Sequence, residues 1–372
     1  MPGLGNLWRE SAAETFAASP LRGERMVDLA IIGAGFTGLS AALHAAGQGA
    51  ALAEAPTLVF DLIAQHDIAC EATRNGTLHL AHAPKAMADL KSRHAQLAAR
   101  GAPVRLIDMS STAQRTGTDR FYGALHDARA GTIQPLAYAR GLARAAHHAG
   151  ALICEQTPVT AAEHRSGQWI ITTPGGKLRA RHLLIATNAY HRPVTHVTRP
   201  DVPIVQYFQL ATAPLGDNLA GDILAGGEGC WDTGLVMTSL RRDRAGRVIL
   251  GGMGGDATLH ENWARRKLAQ LFPRLSGAEI EHAWAGRIAM THDHLPRIQR
   301  MGPGALGIFG YSGRGIGPGT VFGRAAALAL LSGDDSGLPV PVVESHSEQF
   351  VILKSLYYET GARLVHAVSA RR

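Results

Sequence analysis

Cysteine is scarce. The 372 residues carry three, Cys70, Cys154 and Cys230, far apart and without C-x-x-C spacing. An odd count with no framework excludes a disulfide scaffold and points to a reducing, cytoplasmic setting, with the three read as buried thiols rather than nucleophiles. Aromatics make up 6% and charged residues 18%, and no block of like charge stands out. The net charge is +7, but the positive side chains are mostly arginines dispersed among acids and alanines. Nothing there tracks a phosphate backbone, so no nucleic-acid partner is expected. The 43 glycines and 18 prolines stay well below the roughly 25–30% of a disordered chain. Residues 1–28 mix acids with arginines, the wrong chemistry for a signal peptide. One uncharged stretch, Leu29 to Ala53, is long enough to cross a bilayer. It is broken by Gly33, Gly35, Gly38, Gly47 and Gly49 and carries Thr37, Ser40, His44 and Gln48. A buried strand, a glycine turn and a helix explain it better than a membrane span.

What is there is enough for two domains, at roughly 100–200 residues each, and a 46% hydrophobic fraction supplies their cores. Val27 to Ile32 reads as a buried parallel strand, and helix formers run from Leu39 to Ala46. A helix is expected from Ala50 to His66. Asn75-Gly76, between Ile68–Arg74 and Thr77–Ala81, predicts a hairpin. Residues 86–100 read as an exposed helix. Leu152 to Tyr190 reads as a β-meander turning at Pro174-Gly175-Gly176. A third β region covers Pro203 to Ala213 and Leu235 to Gly252, followed by a helix over Glu261–Leu271. Leu306 to Gly310 is an apolar strand leading to a helix over Val321–Leu331, and Glu344 to about Val365 closes the chain as an amphipathic helix. Strand-to-helix units at both ends with β-rich segments between them predict an α/β (α+β) fold. In it, a Rossmann-like nucleotide-binding domain is built from discontinuous pieces, with a β-rich second domain inserted.

Two glycine clusters carry the chemistry. Gly33-Ala34-Gly35-Phe36-Thr37-Gly38 is a G-x-G-x-x-G placed after a strand and opening a helix. The first glycine makes the turn, the second admits a pyrophosphate, the third packs the helix on the strand, and the helix N-terminus faces the anion. Gly310-Tyr311-Ser312-Gly313-Arg314-Gly315-Ile316-Gly317 again joins strand to helix. It reads either as a tight structural turn or as a helix N-terminus whose amides face the pyrimidine end of a flavin, where reduction builds negative charge. His292-Asp293-His294 reads as a turn or cap; it has no third partner at metal-ligand spacing, and no metal is expected.

Taken in order, Leu7-Trp8, the first glycine motif, Ile185-Ala186-Thr187-Asn188-Ala189-Tyr190, Trp284-Ala285-Gly286-Arg287-Ile288, Thr291 to Pro296 and Gly310 to Gly317 resemble one family. The chain resembles the FAD-dependent oxidases of the D-amino-acid oxidase/glycine oxidase group, and within it the γ-glutamylputrescine oxidase branch. The resemblance covers nearly the whole chain. It implies FAD as cofactor, oxidation of an amine or amino acid at a C–N bond, and dioxygen as acceptor. It places Val159 against the adenine, Ala186 and Thr187 along the cofactor, and Arg287, Ile288 and Gly313 to Gly317 at the flavin. Gln206, Tyr207 and Gln209 are candidate substrate-pocket residues, with strand packing as the alternative; no catalytic acid or base stands out.

One departure from the family is as informative as the match. The family continues from its first helix into a second strand ending in a ribose-binding acid, and then into a small-residue loop past the flavin. Here Leu43-His44 runs almost directly into the next helix, an apparent internal deletion after His44 that shortens residues 45–55. Glu54 follows Gly33 by about 20 residues, the spacing of a ribose acid. Yet Ala50-Ala51-Leu52-Ala53-Glu54 holds only helix formers and no β-branched residue. A relative that keeps the fold but binds FAD weakly is therefore the rival expectation. An NAD(P) dehydrogenase is disfavoured by the second glycine cluster. The expected partition is a leader at 1–24, an FAD-binding domain from 25–66, 135–200 and 281–335, a substrate domain from 67–134 and 201–280, and a helical tail at 336–372.

Overall fold

The computed structural model describes residues 4–46, 55–198, 200–255 and 257–369. Residues 50–54, including Glu54, lie outside them.

The chain starts with α1 (Leu7–Ser11), capped by Asn6, whose side chain accepts from the Trp8 N–H. Leu7 is buried and Trp8 packs edge-on against Trp284, which anchors the leader, while residues 12–22 form no helix or strand. Next come β1 (Gly23–Ile32), α2 (Phe36–Ala46) and α3 (Ala55–Gln65). The chain continues with β2 (Thr77–Leu80), α4 (Ala86–Ala98), β3 (Val104–Ile107), α5 (Met109–Thr116) and β4 (Ala124–Asp127). Pro135 and the capping Gln134 side chain start α6 (Pro135–His148). The meander follows as β5 (Ala161–Arg165), β6 (Gln168–Thr173) and β7 (Gly176–Ile185). The third β region yields β8 (Ile204–Thr212), α7 (Asp217–Ala220), β9 (Gly229–Asp232), β10 (Ser239–Arg242) and β11 (Val248–Met253). The remainder is α8 (Ala257–Leu271), β12 (Ile280–Ala289), β13 (Arg297–Gly302), β14 (Ala305–Phe309), α9 (Gly317–Ser332), β15 (Val342–Val343) and α10 (Val351–Ser369).

Two sheets organise these elements. A seven-stranded sheet runs β15-β13-β14-β7-β6-β5, with β1 added parallel to β7. An eight-stranded sheet runs β12-β8-β11-β10-β9-β2-β4-β3. The first carries α2 and α9 on one face, where Leu29 and Ile31 meet Phe322, Ala326 and Leu330. Ala30, Trp169, Leu183 and Ile185 fill its other face. In the second sheet Phe208, Leu210 and Leu250 are buried against Trp263 and Leu268 of α8.

Three expectations need correction. Asn75-Gly76 is not a hairpin turn. Ile68–Arg74 forms no strand, and β2 pairs antiparallel with β4 and parallel with β9. The backbone before β2 is engaged elsewhere: the Cys70 carbonyl accepts from the Gln134 N–H at the start of α6, and Thr73 bridges Thr132. Residues 281–289, expected with the cofactor-binding pieces, form β12 and pair along β8 in the eight-stranded sheet. The tail is not wholly helical from 336, because Val342–Val343 pairs with β13.

β1 has a partner on one side only. β7 lines its whole length, while β6 and β14 take the opposite edge of β7. No strand pairs with the outer edge of β1 among the described residues. Strands of a parallel sheet ordinarily have both faces covered. Here most of the N-terminal half of β1 is exposed, and Met26 stands 75% exposed.

Candidate active site

The two glycine turns meet. Gly33 has φ +113, and a Cβ there would lie 2.7 Å from the Ala186 carbonyl oxygen, so only glycine suits the position. A Cβ on Gly38 would fall 1.8 Å from the Gly33 oxygen, which is how α2 comes to sit so close to β1. Gly35 differs: nothing stands within 4 Å of its would-be Cβ. The space beside the α2 N-terminus is open, as an approaching pyrophosphate requires. In the second turn Gly313 has φ +87, and Gly315 likewise faces open space. Thr37 Oγ1 and Tyr311 OH are 2.8 Å apart in a buried hydrogen bond joining the turns. α9 lies tightly on α2, since a Cβ on Gly323 would meet the Thr37 carbonyl oxygen at 2.1 Å. Two helix N-termini therefore converge on one opening, and this donor set fits an anionic dinucleotide.

The other motifs gather around them. The Ala186 N–H donates to the Ile32 carbonyl, setting Ala186 and Thr187 beside Gly33. Asn188 Oδ1 accepts from the Gly310 N–H at 3.0 Å, so the Ile185–Tyr190 motif holds the second turn. Tyr190 OH accepts from the Arg287 N–H at 3.0 Å. Val159 packs at the margin of the core containing Ala30 and Ile185. Ile288 Cδ1 would lie 3.8 Å from a Cβ on Gly313, bringing β12 to the second turn.

The strand-borne candidates separate. Tyr207 OH donates to Ser239 Oγ at 2.8 Å, and burial pushes the phenol up to about 12. Gln209 shares that face, because side chains two apart on a strand point the same way. Gln206 sits on the opposite face, where its Cγ would be 3.3 Å from a Cβ on Gly255. Arg287 pairs with Gln206 and is exposed, whereas Ile288 turns toward the glycine cluster. The His292–His294 segment forms a turn: Asp293 accepts from the Leu295 N–H and pairs with Arg297, while His292 pairs with Glu348. Cys70 and Cys230 are buried, and burial pushes both thiols up, Cys70 to about 12.

The sequence pattern left His79 unmarked. It stacks on Trp231 with ring centroids 5.4 Å apart, on strands paired His79 to Trp231 and Trp231 to Ser239. That pairing sets it in one row with Ser239, Gly251, Gln209 and Trp284. Burial lowers its pKa to about 4, aided by the positive charges of Arg93 and Arg314. The imidazole is thus neutral and faces the charge of the second glycine turn. Period-2 alternation, with Leu78 and Leu80 buried and Thr77 and His79 half-buried, is the signal that could have found it.

Comparison with known proteins agrees with this geometry. The model of the family described as DAO, FAD dependent oxidoreductase, matches residues 50–329, starting downstream of the first glycine turn. A probable oxidoreductase OrdL of Rhizobium meliloti is 29% identical, covering 84% of this chain and 85% of that protein. The gamma-glutamylputrescine oxidoreductase of Escherichia coli is 25% identical, covering 91% of this chain and 93% of that protein. That second comparison extends over 400 positions, more than the 372 residues here, so gaps in this chain are required. Among solved structures, L-proline dehydrogenase from P. horikoshii shares the fold at TM-score 0.71 and 18% identity, over 86% of this chain and 96% of that one. Glycine oxidase from Geobacillus kaustophilus does so at TM-score 0.66 and 18% identity, over 84% and 96%. The chain belongs to the DAO family of FAD-dependent oxidoreductases.

Proposed function

We propose that this protein oxidises a C–N bond of an amine or amino acid and that dioxygen takes up the electrons. The convergence of two glycine turns, hydrogen-bonded through Thr37 and Tyr311 and open at Gly35 and Gly315, carries the reading. The names of the relatives, a glycine oxidase and a gamma-glutamylputrescine oxidoreductase, support the substrate class. When bound, FAD supplies the hydride-accepting ring. The seven-stranded sheet with α2 and α9 forms the cofactor domain, and the eight-stranded sheet forms the substrate floor. Gly33, Ala34, Gly35, Phe36, Thr37 and Gly38 receive the pyrophosphate, with Val159, Ala186 and Thr187 along the nucleotide. Ile288 and Gly313 to Gly317 border the flavin, their amides aimed where charge develops. Tyr207 and Gln209 line the floor with His79, whose neutral imidazole can accept a hydrogen bond from a substrate ammonium. Three unpaired cysteines suit a cytoplasmic protein.

Among the described residues no strand pairs with the outer edge of β1, which favours a second reading: a relative that keeps the turns but holds FAD weakly. Losing a ribose acid removes about 1.5–3 kcal/mol, a ten- to hundredfold loss of affinity. The visible spectrum of the purified protein, FAD titration and peroxide release from amines test the first reading. Flavin bands near one equivalent with amine-dependent peroxide support it, and a colourless protein that does not saturate with FAD overturns it. In the second case, inserting a relative's second strand and small-residue loop after His44 restores FAD binding.

A further inference from the structure

Buried guanidinium groups in folded proteins are paired, because desolvating a lone charge is expensive. Arg241 on β10 is half-buried, but its Nε is buried and departs from that pattern. It stands two residues from Ser239, on the face that carries Tyr207 and Gln209, in a row with Ile249 and Ala211. Its Nη1 donates to the Ile133 carbonyl at 2.9 Å, and its guanidinium lies 4.8 Å over the Trp8 ring. Its Nε is buried and has no acceptor, and it forms no ion pair among the described residues. Burial lowers its pKa to about 10, against the pull of Asp243 and Glu71.

The same side chain lines a cavity of about 300 Å³ together with Glu71, Thr73, Thr132, Arg242 and Arg244. The carboxylates on that wall are already engaged. Asp243, which also lines it, accepts from the Arg247 N–H at 2.8 Å and lies 3.5 Å from Arg247 Nη1. Glu71 accepts from the Arg244 N–H at 3.4 Å. Thr73 and Thr132 hydroxyls stand 2.6 Å apart at the same wall.

We propose that this cavity is a carboxylate-binding site in which the Nε edge of Arg241 receives a ligand carboxylate. Nε and Nη2 project parallel N–H bonds along one edge of the guanidinium, matching the two oxygens of a carboxylate. Binding there supplies the acceptor that the buried Nε lacks among the described residues. From Val205, paired with Ile288 at the second glycine turn, to Ala211, in the row of Arg241, β8 advances about 20 Å. The carboxylate therefore belongs either to the far end of a long amine substrate or to a separate small acid. Only the first source rests on the amine-oxidation reading.

Glutarate is the probe. Calorimetric titration of the full chain is expected to show one site, with affinity reduced at least about tenfold in Arg241→Gln and Arg241→Lys, since an ammonium lacks the parallel N–H pair. Circular dichroism identifies the folded variants, and if Arg241→Gln does not fold, Arg241→Lys decides. No binding to the parent chain, or equal binding to a folded variant, overturns the site. The second arm uses the FAD-loaded protein with ω-amino acids and alkylamines of equal length. A lower KM for the ω-amino acids, abolished by Arg241→Lys and competed by glutarate, assigns the carboxylate to the substrate. Glutarate binding without competition assigns it to a separate acid. An inactive protein that still binds glutarate overturns the oxidation reading and leaves the site standing.

Discussion

The two glycine turns do similar work by different means. The first is jammed: Gly33 and Gly38 sit where any Cβ meets backbone, and only Gly35 looks into open space. The second is roomier beyond Gly310, where a Cβ would meet the Thr291 side chain at 2.5 Å: Gly315 has nothing near it and Gly317 only ordinary contact with Ala55. Its position is set from outside instead. Ser312 Oγ accepts from the Thr291 N–H, and the neighbouring His292 is held by Glu348. Glu348 Oε1 accepts from the His292 N–H and Nδ1–H at 3.0 Å, and its Oε2 lies 3.3 Å from Lys354 Nζ. Backbone packing fixes the first turn whatever the pH, while an ionisable group helps to hold the second.

That contrast can be broken most severely at Gly38. Gly38→Ala drives a methyl into the Gly33 carbonyl at 1.8 Å. The expected loss is about 3–5 kcal/mol of stability in urea unfolding. A loss below about 1 kcal/mol shows that the first turn can yield. Gly35→Val separates ligand approach from folding within the same turn. Its stability is expected to stay within about 1 kcal/mol of the parent, while FAD affinity falls at least about a hundredfold. Flavin content equal to the parent's rules out pyrophosphate binding there.

Acid probes the second turn alone. Burial works to raise the Glu348 pKa, but the His292 backbone and ring N–H groups and Lys354 outweigh it, and the carboxyl falls to about 2. A folded-state pKa below the unfolded value of roughly 4.3 contributes stability above that value. The contribution disappears as pH falls from about 4.3 toward 2. Glu348→Gln is expected to remove about 1–2 kcal/mol at neutral pH and to flatten the acid limb of the stability curve over that window. An unchanged acid limb excludes the anchor. The mildest test is Gly315→Ala, expected to leave stability within about 0.5 kcal/mol and to weaken FAD about three- to tenfold. Unchanged affinity leaves the second turn a structural joint only.

Much of this was legible in the chain because it is local. A strand, a glycine turn and a helix start depend on contiguous residues, so β1 to α2 and β14 to α9 follow from the spacing of apolar residues and glycines. The meander was equally plain, since antiparallel neighbours joined by short turns write their pairing into the sequence. Asn75-Gly76 misled for the complementary reason. Its flanks are engaged by Gln134, Thr132 and Gly226, all distant in sequence. β12 was missed as a strand of the second sheet because its identity comes from pairing with β8, about 75 residues earlier.

The sequence by itself determined the two dinucleotide-type turns, their helices and the short interval after His44, because each is a property of neighbours along the chain. Tertiary structure alone decided that the turns join through Thr37 and Tyr311, that Gln206 turns away while His79 turns in, and that β1 pairs along its length with β7. It also decided that Arg241 keeps a buried Nε without an acceptor among the described residues. Those are relations between residues tens to hundreds of positions apart. They follow from which strand lies beside which and from what the surrounding packing removes from water.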